Sequence, residues 1–128
     1  MTFNNSNNVT IPNGSLTVGT SITCVSLTET SDAAAKQDVE DVADASRILQ
    51  LRPVTYRSAG NDGGPLHAGV IAQQLQSVVP EAVRTIPPLE EGGESRLGVE
   101  YQHLLALLIA SHKELTARVA ALEAAASS

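Results

Sequence analysis

Apolar and polar positions alternate along the first thirty residues, and then the rhythm changes. Val9 and Ile11, Leu16 and Val18, and Ile22 fall on alternate positions, with Pro12-Asn13-Gly14 and Gly19 as turn signals between them. A period of two predicts short β-strands. Cys24 keeps the phase of Ile22, whereas Val25 and Leu27 change it, so an irregularity such as a bulge is expected there. Strands this short cannot close a core within one chain. They call for pairing with other copies.

From residue 38 the period lengthens. Val39, Val42, Ala43, Ile48 and Leu49 form an apolar stripe that predicts a helix over 38–50, with the carboxylates at 38, 40, 41 and 44 on its solvated face. Pro53 breaks that helix, and "LRPVTYRS" reads as a strand in which Val54 and Tyr56 alternate with polar residues. "AGNDGGP" is a loop by composition. "HAGVIAQQLQSVVPEAV" predicts a buried strand that turns into a helix stopped at Pro80. "TIPPLEEGGESRLGVEY" predicts a hairpin with a Gly-Gly turn and a second strand over 96–101.

Residues 102–126 predict one long helix. Leu105, His112 and Val119 recur every seven residues, as do Tyr101, Leu108, Leu115 and Leu122. The two sets alternate by three and four, the a and d arrangement of a coiled coil. Over 102–109 an amphipathic helix lying on its own domain explains the pattern equally well. Beyond Lys113 only another subunit would cover it. The expected architecture is therefore α+β in three parts: a β-rich stem segment over 1–30, a compact α+β module over 31–101, and a C-terminal helix over 102–128 that self-associates.

Composition narrows the chemistry. Aromatic residues make up only 2 % of the 128, so the core must be aliphatic and thin, a deficit that oligomerisation would repair. A net charge of −6 argues against a general nucleic-acid surface. The longest apolar run, Leu104–Ala110, is far short of the roughly 20 residues that span a bilayer, and the N-terminus lacks the basic start and apolar core of a signal peptide. Cys24 is the only cysteine, which excludes an intrachain disulfide. His67, His103 and His112 lack ligand spacing, and "GNDGG" lacks the lysine of a phosphate loop, so neither metal nor cofactor is expected.

One stretch admits a sharper reading. "ETSDAAAKQDVED", residues 29–41, is most simply a helix start capped by Ser31 or Asp32. It also places Lys36 five residues after Ser31. A neutral lysine can accept a serine proton and so create a nucleophile. Five residues do not share one face of a regular helix, so a non-helical turn at the serine is required to bring the two together.

The order of segments adds a resemblance. Ser-Asp-x-x-x-Lys, "LQLRPVTYR", "GVIAQQLQ…VPE" and "GVEY" leading into "LLALLIASHKEL" resemble the intramolecular chaperone auto-processing domain over about Ser31 to Glu123. That domain ends many phage tail spikes and fibres, including endosialidases, and a relative occurs in myelin regulatory factor. The resemblance implies a homotrimer that helps an upstream fibre stem assemble and then cleaves itself off. It implies a scissile bond at Thr30–Ser31, Ser31 as nucleophile and Lys36 as general base. It also implies a virion location in the phage tail, after synthesis in the host cytoplasm, with the stem and other tail proteins as partners.

Three positions depart from the family pattern: Ala34 and Ala35 stand where a basic residue and a leucine are usual, and Gln74 stands where an acidic residue is usual. The alternative reading is a non-cleaving trimerisation cap retained in the tail. A transcription-related module is disfavoured by the lack of a basic DNA-binding region, and a protease acting in trans by the lack of a recognisable substrate groove.

Overall fold

The computed structural model describes residues 2–3 and 8–127, in two compact units. One unit comprises Met1–Asp38 with Leu89–Gly93, the other Val39–Pro88 with Glu94–Ser128. The architecture is mixed α and β, with three two-stranded sheets and a long C-terminal helix among the described residues.

In the first unit, β1 (Thr2–Phe3) pairs antiparallel with β2 (Val9–Thr10), Phe3 opposite Val9. The strands expected around Leu16, Val18 and Ile22 do not form in the single chain, and these residues are exposed together with Val25 and Leu27. The reason is geometric. An alternating apolar strip becomes a strand only when a neighbour supplies the ladder and a surface covers its face.

The helix expected over 38–50 is also absent. The backbone stays irregular through Asp44, and only a 3-10 helix, Ala45–Gln50, follows. Asp38 and Asp44 adopt left-handed φ values of 52° and 49°, which no helix accommodates. Glu40 and Asp44 would stand as a repelling i,i+4 pair in a helix, and Val39 and Val42 are stiff at χ1. Ser46 Oγ donates to Asp44 Oδ1 at 2.6 Å, a local bond that competes with helical pairing.

β3 (Val54–Tyr56) and β4 (His67–Gly69) form an antiparallel hairpin, with Tyr56 opposite His67 and their ring centroids 5.4 Å apart. Gly60 and Gly63 supply the positive φ that its connecting loop requires. β4 is not the buried strand expected: His67 and Ala68 are exposed, because a two-stranded sheet has too few neighbours to cover both faces. Gly69 leaves room for the Tyr101 hydroxyl, which would lie 2.6 Å from a Cβ there and accepts from Val70 N at 3.5 Å.

α1 (Ala72–Val78) ends where expected, with Pro80 opening a 3-10 turn, Pro80–Ala82. β5 (Val83–Ile86) and β6 (Arg96–Val99) pair antiparallel. The second strand stops at Val99 rather than 101, because α2 (Tyr101–Ser127) has already begun. Twenty-seven helical residues extend for roughly 40 Å.

The core is small. Leu75, Val79, Ala82, Val83 and Leu107 are buried together, with Ile48, Leu51, Val70, Val78, Leu97, Val99 and Leu104 packed at the edge. α2 meets this core with one face only: Leu107 is buried, and His103, Leu104, Ala110 and Ser111 are half-buried. The a and d residues Leu105, Leu108, His112, Leu115, Val119 and Leu122 lie on another face and are exposed. Over 102–109 the helix therefore packs on its own domain without using its heptad seam.

Two ion pairs tie the core's rim: Arg47 meets Glu81 at 2.8 Å and Arg84 meets Glu100 at 3.0 Å, with His103 Nδ1 lying 3.1 Å from the other Glu100 oxygen. The Glu81 carboxyl is held below its ordinary value by a backbone N–H bond first and by Arg47 next, against an opposing desolvation effect. A lowered folded-state pKa contributes stability above the unfolded carboxylate range, and that stability disappears as pH falls through the folded value. Glu81 is 46 % exposed, so solvent screening limits the gain to about 0.5 kcal/mol. Urea denaturation of Glu81→Gln should show that loss at neutral pH, and the two proteins should converge in acid. A difference that persists below the carboxylate range would point to packing instead.

Candidate functional site

The residues around the Ser31–Lys36 pair build one short turn. Asp32 sits in an extended conformation and its Oδ1 accepts from Ala34 N at 2.8 Å, capping a 3-10 turn over Ala33–Ala35. Ala35 N donates to Asp32 O at 3.0 Å and Lys36 N to Ala33 O at 3.1 Å. Lys36 then leaves in an extended conformation. Three alanines favour such a turn because they carry no side chain that competes for the backbone.

The turn solves the spacing problem posed by the sequence. A 3-10 turn closes in three residues rather than 3.6, and extended residues on either side let the chain double back. Lys36 Nζ donates to Ser31 Oγ at 2.5 Å and to the Ser31 carbonyl oxygen at 2.6 Å. Ser31, Lys36 and the intervening alanines are all exposed in the single chain. Thr30 precedes them in an irregular, exposed segment, so its carbonyl lies outside any strand ladder.

Chemically, this arrangement places an amine on the hydroxyl of a residue whose preceding peptide bond is free of secondary structure. The amine donates here. To act as a base it must first be neutral, which takes desolvation or a neighbouring cation. Ala34 and Ala35 provide little bulk for that purpose, being exposed themselves. Gln74, the other departure, lies at α1, where its Oε1 accepts from Arg52 N at 3.4 Å.

The sequence signalled Ser31, Asp32 and Lys36. It carried no signal for the Ser31 carbonyl as a second acceptor, because every residue has that group and only the turn aims it. Removing the cap should loosen the arrangement. Asp32→Ala should cost roughly 0.5–2 kcal/mol of local turn stability and slow any Ser31-dependent cleavage, with Asp32→Asn retaining most of it. Equal rates in Asp32→Ala and the parent would show that the cap does not position the lysine.

Comparison with known proteins places these residues in context. Residues 31–84 match a peptidase family described as chaperone of endosialidase. The long tail fiber protein Gp37 of Enterobacteria phage K3 is 37 % identical over 97 residues, covering 73 % of this chain and 8 % of the fibre protein. Its counterpart in Enterobacteria phage T2 shows the same identity over 73 % of this chain and 7 % of the fibre protein. The chain thus spans less than a tenth of the length of these relatives. The family match opens at Ser31, the first residue of the turn, and runs through α1 into β5. By this match, residues 31–84 belong to the chaperone-of-endosialidase family.

Proposed function

We propose that this chain is a C-terminal intramolecular chaperone of a phage tail fibre or spike, which promotes trimerisation of a β-rich stem and then releases itself by cutting Thr30–Ser31. Residues 1–30 act as the stem segment, 31–101 as the chaperone and auto-processing domain, and 102–128 as a coiled-coil helix. The observation that carries the reading is the 2.5 Å approach of Lys36 Nζ to Ser31 Oγ, at the residue where the family match begins.

The reaction is single-turnover and intramolecular. Ser31 Oγ attacks the Thr30 carbonyl carbon while Lys36 Nζ takes the hydroxyl proton. The Thr30–Ser31 C–N bond then breaks as that proton passes to the departing Ser31 nitrogen, leaving an ester on Oγ. Water hydrolyses the ester to a Thr30 carboxylate and a free Ser31 N-terminus. The base must shed its proton in the active state, so assembly over residues 31–36 is the natural source of desolvation.

Self-association has independent support. The single chain leaves apolar side chains without cover. They include the seam of α2 and the alternating apolar residues of the stem.

The second reading, a trimerisation cap that stays attached, draws on the exposure of Lys36 and on the two alanines beside it. Intact mass and denaturing electrophoresis of the expressed chain separate the two. A new N-terminus at Ser31, absent from Ser31→Ala and Lys36→Ala, supports processing. A full-length chain that forms native-like trimers after prolonged incubation establishes the cap.

A further inference from the structure

Lys36 Nζ makes two contacts with Ser31, and cleavage of the Thr30–Ser31 bond uses only one of them. The 2.5 Å bond to Oγ serves proton transfer; the 2.6 Å bond to the Ser31 carbonyl oxygen does not. That second bond survives when Oγ becomes acylated, because the Ser31 carbonyl takes no part in the reaction. A neutral amine has two N–H groups and a lone pair. One N–H can stay on the carbonyl while the lone pair faces the ester.

In the ester the Thr30 carbonyl carbon is one bond from Oγ. It therefore lies within roughly 4 Å of an amine held in this way, near the ~3–3.5 Å of an attacking pair. The amine is neutral at this stage, since the proton it took from Oγ has passed to the Ser31 nitrogen. Water is the rival acceptor. The desolvated state that lets Lys36 act as a base also thins the water around the ester. An aligned group within the site instead competes at an effective concentration that can reach roughly 10⁵–10⁸ M. The new C–N bond also gains the resonance of an amide.

We propose that Lys36 is itself an acyl acceptor, so that part of the processed chain becomes a branched isomer with Thr30 joined to Lys36 Nζ by an isopeptide bond. This rests on the Ser31 cleavage proposed above and adds a second fate for its ester. Nζ attacks the ester carbonyl carbon, the C–Nζ bond forms, the C–Oγ bond breaks, and one Nζ proton leaves on the Ser31 hydroxyl. Water is neither consumed nor released. Residues 1–30 stay attached, now through a side chain, and Ser31 carries a free α-amine.

The full chain, incubated until processing stops, tests this by intact mass, N-terminal sequencing and tryptic mapping. A species of unchanged mass with two N-terminal sequences, the original one and one starting at Ser31, should make up roughly a tenth or more of the processed chains. Lys36 is the first tryptic site and Arg47 the second. Branching blocks the first, so one branched peptide holding residues 1–47 should replace the separate peptides 1–36 and 37–47. Mild hydroxylamine after denaturation cleaves an ester and spares the isopeptide. Ser31→Ala should show neither the second terminus nor the branch. A Ser31 terminus found only on chains that have lost residues 1–30, with trypsin cutting at Lys36, would overturn the transfer and leave cleavage standing. Full conversion of the unchanged-mass species to fragments by hydroxylamine would do the same, because that species is then the ester. A Ser31 terminus missing from every species would overturn the cleavage reading, and the transfer with it.

Discussion

Ser31→Ala should abolish release of residues 1–30, lowering the rate by roughly a thousandfold or more, because it removes the hydroxyl proposed as the nucleophile. If Lys36 is the general base as proposed, Lys36→Ala should cost about 10²–10⁴-fold. Lys36→Arg separates catalysis from architecture. A guanidinium can donate to Ser31 Oγ and the Ser31 carbonyl, but it does not give up its proton under ordinary conditions. A base role predicts that the arginine variant assembles normally and stays uncut. The measurement is the fraction of intact chain over time, by mass spectrometry. Undiminished cutting in Lys36→Arg would remove the base assignment and leave the lysine a structural role.

The largest stability effect is expected in the core. Leu75 is fully buried among Val79, Ala82, Val83 and Leu107, and it joins α1 to the face of α2 that contains Leu107. Leu75→Ala should destabilise by about 2–5 kcal/mol, the range for buried leucine truncations. With a buried cluster of five residues among those described there is little else to absorb the loss, which at its upper end matches the lower end of the roughly 5–15 kcal/mol of a typical domain. Urea denaturation should show a lower midpoint with an unchanged slope. An effect below about 1 kcal/mol would mean that the core is held mainly by contacts between chains.

These two expectations stand on different parts of the sequence. The core was legible in outline: the apolar positions of α1 and the stop at Pro80 appear in the order of residues, and so does the hairpin that becomes β5 and β6. The segment over 38–50 was misleading. Its apolar spacing fits a helix, but Asp38 and Asp44 settle into left-handed backbone and break it. Periodicity counts side chains on a face and is blind to φ. The alternation over 16–22 does not become a strand in one chain, because strand formation depends on a neighbour that the single chain does not contain.

The site shows the same division. Ser31 and Lys36 stand out by residue type, yet a spacing of five is silent about whether they meet. The Asp32-capped turn decides it, because three-residue closure flanked by extended backbone brings the amine onto the hydroxyl. For α2, the sequence alone determined a helix with a repeating seam, since heptad spacing is a property of residue order. Only the tertiary structure decided which face meets the core. Leu107 and its neighbours take that contact, and the seam from Leu105 to Leu122 is left exposed, because the two stripes point in different directions around one helix.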